Sequence, residues 1–347
     1  MRLLLCATLV IAIALVPASA QIKVARFKQN PLITTRTSRS LGTNVNGPTV
    51  IRVPEWVKNP LGRYYMYFAN HMGEFIRLAY ADDIAGPWKV HEPGVLHVRD
   101  TAMSRPGPDP KETLDDFYTH VASPEILIDH EQRRIVMWFH GWWTNGENWP
   151  ADPAAARAWA QKSGYSQFTQ AAVSTDGLQF DTEPAITRTP YLRVFQHEGY
   201  YYGVSRLGRL SRSKDPIAVF EPGPNPFRDG AYAARIRHVA LVKRGTRLHV
   251  FFTGIGDTPE RVMLSSIDLA GDWSKWRASV PIDVLQPETA YECTNLFNKP
   301  SEAGDIAIPV RQIRDPFVFE ENTRAYLFYS ICGEQGIAAA EISGLTP

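Results

Sequence analysis

Five short runs of aromatic and β-branched residues recur along this chain, each flanked by further β-rich segments and a turn. They are Tyr64-Tyr65-Met66-Tyr67-Phe68, Val136-Met137-Trp138-Phe139-His140, Tyr200-Tyr201-Tyr202-Gly203-Val204, Leu248-His249-Val250-Phe251-Phe252 and Ala325-Tyr326-Leu327-Phe328-Tyr329. Such residues suit pleated, half-buried surfaces, and a sheet unit repeated about five times predicts an all-β fold, a five-bladed β-propeller. A propeller has a central axis where the inner strands converge, so the repeat also says where chemistry should be sought.

Period-two alternation, broken by Gly, Pro and Asp, sets the strands. The first unit reads Thr49 to Val53, Tyr64 to Phe68 and Ile76 to Ala81, then turns through Gly86-Pro87 to Trp88-Lys89-Val90. The second reads Glu125 to Asp129, Ile135 to His140 and Thr169 to Ser174, with Phe180 after the Asp176-Gly177 turn. The third runs from Tyr191 to Phe220, and the fourth from Val239 to an end near Trp273 and Trp276. The fifth offers only Phe317 to Phe319, Ala325 to Tyr329 and Ile337 to Ile342, so Val24 to Ile33 is expected to supply its outer strand and remove an exposed edge. A β-sandwich is the competing architecture. The D-G, G-P and D-P turns that end the units favour the propeller. A long insertion, Trp142 to Ser163, interrupts the second unit, and its 154–159 stretch is expected to be a short helix.

The first residues read as a leader. Arg2, the apolar stretch Leu3 to Val16 and Ala18-Ser19-Ala20 form a charged start, a core and an A-x-A cleavage site, which predicts a secreted or periplasmic protein beginning near Gln21. The rest, 21–347, is expected to be one propeller domain. With 37 Lys plus Arg against 36 Asp plus Glu and no basic stripe, nothing points to nucleic acid, and no membrane span is expected after cleavage. Cys6 would leave with the leader, so Cys293 and Cys332 remain, either as a disulfide or as two buried thiols.

The inner strand of each blade starts at the axis. The five entrances are Asn46-Gly47-Pro48, Ser123-Pro124-Glu125, Thr189-Pro190-Tyr191, Arg237-His238 and Arg314-Asp315-Pro316, and Glu292 precedes the last. Carboxylates gathered on a narrow axis suit glycoside hydrolysis, in which one carboxyl gives a proton to the leaving oxygen and another stays ionised to activate water or to attack. Asp315, beside Arg314, is expected to be the ionised base or transition-state stabiliser, and Glu292 or Glu125 the acid. His238 is a further proton donor able to stand in for a missing acid. Substrate-binding candidates are Asn46, Arg237 and Arg314 at the entrances, with His71, His140 and Arg206 on the wall above the axis. Trp142, Trp143 and Trp149 in the insertion offer flat apolar faces to sugar rings, with loop packing as the plainer alternative. No ligand spacing for zinc or calcium is present, and no cofactor is expected.

The blade pattern, Asn30-Pro31-Leu32-Ile33, Ser123-Pro124-Glu125 and Arg314-Asp315-Pro316 resemble the five-bladed glycoside hydrolases of the family 43 and 32 type. Tyr291-Glu292, Arg314-Asp315-Pro316-Phe317 and the ending from Tyr329-Ser330 to Gly336-Ile337-Ala338 resemble secreted bacterial relatives of that group. The resemblance implies hydrolysis of furanosides or similar sugars, with inversion or retention, by three axial acidic residues. Two departures stand out. Those enzymes carry an aspartate at the first entrance, where this chain has Asn46-Gly47-Pro48, and here Glu-Cys precedes Arg-Asp-Pro, which sits in the last blade. The alternative reading is a propeller that binds carbohydrate without cleaving it.

Overall fold

The computed structural model describes residues 22–71, 73–103, 120–143, 152, 155, 158 and 166–345. The expected leader over 1–20, most of the expected helix over 154–159, Trp149 and the side chain of Trp143 lie outside the described residues.

Two short strands, β1 (Lys23–Arg26) and β2 (Ile33–Thr34), precede five antiparallel sheets. Blade I holds β3 (Asn46–Arg52), β4 (Tyr64–Ala69), β5 (Phe75–Ala81) and β6 (Lys89–His97). Blade II holds β7 (Ala122–Asp129), β8 (Arg134–Trp143), β9 (Ser166–Ser174) and β10 (Asp181–Thr187). Blade III is built from β11 (Arg193–His197), β12 (Tyr200–Val204), β13 (Leu210–Ser213) and β14 (Glu221–Pro222). Blade IV is built from β15 (Ile236–Arg244), β16 (Arg247–Gly254), β17 (Val262–Asp268) and β18 (Ile282–Leu285). Blade V combines β19 (Arg314–Glu321), β20 (Arg324–Ile331) and β21 (Gly336–Ser343) with β1, which pairs with β21 from Lys23↔Ser343 to Arg26↔Ala340. Strand β2 pairs with the start of β21. The two ends of the described chain thus share one sheet.

All five aromatic runs are the second strands of their blades, and outside blade III that strand is buried on both faces. In β4, Tyr64, Met66 and Phe68 pack toward blade V while Tyr65 and Tyr67 pack toward blade II. The same alternation splits β8 (Val136 and Trp138 against Met137 and Phe139) and β20 (Tyr326 and Phe328 against Leu327 and Tyr329). Five hydrophobic clusters result, one at each junction between neighbouring blades. Packing of this kind closes the ring by burial, at about 25 cal/mol per Å² of apolar surface removed from water.

The blade boundaries differ from the sequence expectation in one place. Blade IV ends not at Trp273 and Trp276 but at β18, downstream. Trp273 starts a short 3-10 turn, and both indoles pack on Tyr202 of blade III, at 5.6 and 5.2 Å between ring centroids. Cys293 and Cys332 form a disulfide that ties the segment before blade V to the turn between β20 and β21.

Candidate functional site

Every inner strand enters the axis through a local irregularity. The register slips between Asn46 and Thr49, Ala122 and Glu125, Ile236 and Val239, and Arg314 and Phe317. Within these bulges Gly47, Ser123 and Asp315 have φ of 62°, 48° and 50°, and Tyr191, two residues ahead of Arg193, has 61°. A bulge re-aims side chains, and positive φ in Ser, Tyr and Asp is strain that the surrounding structure must hold. The equivalent residues of the five blades are therefore Gly47, Ser123, Tyr191, Arg237 and Asp315. Two residues further, about 7 Å along each strand, lies a second layer: Thr49, Glu125, Arg193, Val239 and Phe317.

The upper layer carries the cluster. Imidazole and phenol rings follow one another around the axis, with centroid separations of 6.4 Å (His71–His120), 5.8 Å (His120–His140), 3.9 Å (His140–Tyr191) and 4.3 Å (Tyr191–His238). Blade V closes the circle. Asp315 Oδ1 meets His238 Nδ1, and its Oδ2 accepts from Ser330 Oγ at 2.9 Å. Glu334, in the turn after β20, places Oε2 3.0 Å from His71 Nδ1 and Oε1 3.0 Å from Arg314 Nη1. Asn44 and Asn46 donate to the same Oε2 at 2.6 and 3.1 Å. Arg314 also pairs with Glu260, which in turn accepts from Arg237 Nε at 3.0 Å. All of these side chains are buried except that of Tyr191, which is partly exposed.

The electrostatics divide the histidines. Burial lowers the pKa of His238 and outweighs the carboxylate of Asp315, which favours the neutral imidazole. Burial and the neighbouring His120, His71, His238 and Arg206 push His140 well below the usual range. Burial works in the same direction at His71, but Glu334, Asp315 and Asp305 overcome it and raise its pKa. For Asp315 and Glu334 burial opposes ionisation, yet both are held below the usual carboxylate range, Asp315 chiefly by His238 and Glu334 by His71, Arg314 and Asn44. Desolvation pushes the Tyr191 phenol up to about 12. Neither ring nitrogen of His140, nor Nε2 of His238, has a hydrogen-bond partner among the described residues.

Asp315, His238, Asn46, His71, His140, Arg237 and Arg314 thus fall in one cluster, and Arg206 is near enough for its charge to act on His140 and Tyr191. Glu125 and Glu292 do not join them. Glu125 belongs to the lower layer, where Arg193 Nη1 binds its Oε2 at 2.7 Å and the Val194 amide its Oε1 at 3.3 Å. Arg193 reaches the other blades too: Thr49 Oγ1 at 2.8 Å, the Pro124 carbonyl at 2.6 Å, the Val239 carbonyl at 3.2 Å and the face of Phe317. It is a plug across the axis. Glu292 turns outward, accepting from Arg26 Nε at 2.8 Å, Tyr329 Oη at 2.9 Å and the amides of Glu288 and Thr289. It anchors β1 rather than facing the rings. Trp142 lies at the far end of β8, paired with Gln167 of β9.

Sequence reasoning missed His120, Tyr191, Glu260 and Glu334. Tyr191 stood at an entrance and was legible as a strand start. Glu334 lies in a turn, and only the return of the chain from β20 to β21 brings it to the axis. A cavity of about 280 Å³ opens beside Arg314 and Gln312, bordered by Glu302 and Asp305. A larger one, about 570 Å³, lies at the opposite ends of β3, β7 and β19 and touches none of the ring residues.

Protein R118 of Acanthamoeba polyphaga mimivirus is 35% identical over 346 residues, covering 93% of this chain and 91% of the viral protein. The chain belongs to the family of that viral protein. No protein-family profile matches it. Its structural neighbours are five-bladed β-propeller glycoside hydrolases. A glycosyl hydrolase from Bacteroides ovatus superimposes with a TM-score of 0.58 at 12% identity, over 92% of this chain and 93% of that one. The GH43 BlXynB protein from Bacillus licheniformis gives 0.52 at 12% identity, over 92% and 54%. At such identities the likeness establishes the fold, a glycosidase-type propeller, and leaves the chemistry to the residues themselves.

Proposed function

We propose that this protein is a secreted glycoside hydrolase that cleaves a glycan or oligosaccharide at the axial ring, with Asp315 and His238 as its proton-transfer pair. The observation that carries this reading is the contact between the Asp315 carboxylate and His238 Nδ1 at the rim of the axis. An ionised carboxylate on Nδ1–H fixes the tautomer and leaves Nε2 as a bare base, and it stabilises the imidazolium that forms when a proton arrives. In hydrolysis that base takes a proton from the attacking water, the task a second carboxylate performs in carboxylate-only sites. Gly47 occupies the equivalent first-blade position, so the His238–Asp315 pair is the local substitute for a carboxylate there. The nitrogens of His140, unpartnered among the described residues, and the Tyr191 hydroxyl suit the hydroxyl groups of a sugar. Carbohydrate as the ligand also agrees with a structural neighbour, an exo-β-1,3-galactanase from Phanerochaete chrysosporium studied with β-1,3-galactotriose.

Secretion is supported by the leader-like start of the chain and by the Cys293–Cys332 disulfide, a bond typical of oxidising compartments. N-terminal sequencing of the exported protein should begin near Gln21. For the activity, reducing-end release over a panel of oligosaccharides is expected from wild type and lost by about 10²–10⁴-fold in Asp315→Asn and His238→Gln. Equal rates in wild type and both variants would sink the assignment. A second reading, carbohydrate binding without cleavage, draws on Glu334 and Glu260, both tied into ion pairs with Arg314. Calorimetric binding of a sugar that wild type never cleaves would favour it.

A further inference from the structure

A strap of chain, 302–307, is fastened to the rim of the axis by its own carbonyls. Arg237 donates to those of Glu302 and Gly304, Arg314 to that of Gly304 at 3.5 Å, Asn44 to that of Ile306 at 3.5 Å and Gln335 to that of Ala307 at 3.4 Å. Between this strap and the start of β19 lies the cavity of about 280 Å³ that Arg314 borders. We propose that this cavity is a subsite for one uncharged sugar ring, recognised by Lys299, Glu302 and Asp305; the proposal deepens the carbohydrate reading above and rests on it.

The cavity is built before any ligand arrives. Its floor, Gln312 and Arg314, is buried and internally bonded: Arg314 Nη2 donates to Gln312 Oε1 at 2.7 Å, and Gln312 Nε2 to the Lys299 carbonyl at 3.3 Å. The strap rests directly on the turn after β20, since a Cβ at Gly333 would stand 2.7 Å from Ile306 Cγ2. The neighbouring Cys332 is bonded to Cys293, ahead of the strap in the same connection. A wall fixed in this way spares a ligand the cost of ordering it.

The lining defines the ligand. Lys299, Glu302 and Asp305 are exposed, and their side chains have no hydrogen-bond or ion-pair partner among the described residues, so an ammonium and two carboxylates are open to a guest. Hydroxyl groups serve both kinds, donating to carboxylates and accepting from the ammonium. Pro300, Ile306 and Ile308 offer an apolar wall for the C–H face of a ring. Two cations (Lys299 and Arg314) and two anions (Glu302 and Asp305) line the space, a balance that favours a neutral guest over a uronic acid or an amino sugar. The volume lies just under the range of about 300–1,000 Å³ that drug-sized ligands occupy, which suits a single ring. Arg314 borders the cavity and also pairs with Glu334 and Glu260, so a ring seated there lies one side chain from the axial cluster. The charge of Asp305 also reaches His71.

The test is binding, read at the cavity itself. With isoleucine methyl groups labelled for NMR, the full chain is titrated with D-glucose, D-galactose, D-xylose and L-arabinose. At least one should shift the Ile306 and Ile308 methyls with a Kd of about 1–10 mM, as expected for a ligand of about 12 non-hydrogen atoms. Ile126 and Ile128, which line the cavity at the opposite face, should stay still. Asp305→Ala, an exposed substitution, should weaken binding about tenfold. The uronic acid and 2-amino counterparts of the bound sugar should each bind about fivefold more weakly. Tighter binding of either charged sugar overturns the neutral class. Methyls at 306 and 308 that no sugar moves, or an Asp305→Ala affinity equal to wild type, overturn the subsite, even if the protein cleaves a glycoside. Saturable shifts that Asp305→Ala weakens support it, even if no glycoside is cleaved.

Discussion

Arg193, on the inner strand of blade III, touches the other four inner strands, and its removal offers a quantitative test of the axial architecture. The substitution Arg193→Met keeps most of the volume but deletes four hydrogen bonds and leaves the Glu125 carboxylate buried without its cation. Breaking a buried pair from one side costs about 3–5 kcal/mol. Unfolding entropy of about 2.1 cal/mol/K per residue over roughly 325 residues makes 4 kcal/mol equivalent to a Tm loss of about 6 °C. The pH dependence supplies an internal check. Burial raises the pKa of Glu125 despite the opposing pull of Arg193. A carboxyl raised in the folded state binds protons more tightly there, so its contribution is most favourable below the unfolded value of about 4.3 and is lost as pH rises through the folded one. Without Arg193 the folded pKa climbs further, so the variant should suffer most at pH 7 and much less near pH 4. Scanning calorimetry at both pH values measures this, and the double variant Arg193→Met with Glu125→Leu should recover much of the loss. A deficit that is the same at both pH values, or a double variant no better than the single one, would refute the plug.

Glu292→Gln should destabilise the fold by about 1–3 kcal/mol by loosening Arg26 and Tyr329, yet leave kcat on any cleavable glycoside unchanged; a large fall in kcat at constant stability would return Glu292 to the catalytic set. Replacing Cys293 and Cys332 by serine opens a loop of 39 residues and should cost about 4 kcal/mol in chain entropy, read from the urea midpoint. Because Cys332 lies two residues from Glu334, the same variant should also lower the titration midpoint of His71. Glu334, whose pKa is depressed, contributes stability that is present above about pH 4.3 and lost as pH falls toward its folded value. Glu334→Gln should therefore flatten the acid limb of the stability profile.

The propeller was legible in the sequence because its strongest signal is local. Alternating apolar residues such as Tyr64 to Phe68 need only a two-sided buried strand, and five such strands with turns between them admit few architectures. The entrances were legible for the same reason, since Pro48, Pro124 and Pro316 mark where inner strands begin. The site was legible only in part. Asp315 and His238 were found from their entrances, whereas Glu125 looked equivalent to Asp315 because both adjoin a proline. The bulge separates them: Asp315 precedes its proline and sits at the rim, while Glu125 follows its proline and falls one layer lower. Glu292 looked axial because it lies just ahead of the fifth inner strand, but its segment runs along the outside of that blade.

The residues alone determined the all-β repeat, the buried second strands and the places where the chain meets its axis, because these follow from period, turn chemistry and burial over a few neighbours. The tertiary structure decided which polar groups share a cluster. His71, Glu334, Tyr191 and His238 are brought together only when five blades close into a ring, and their charge states follow from a mutual burial that no stretch of sequence contains.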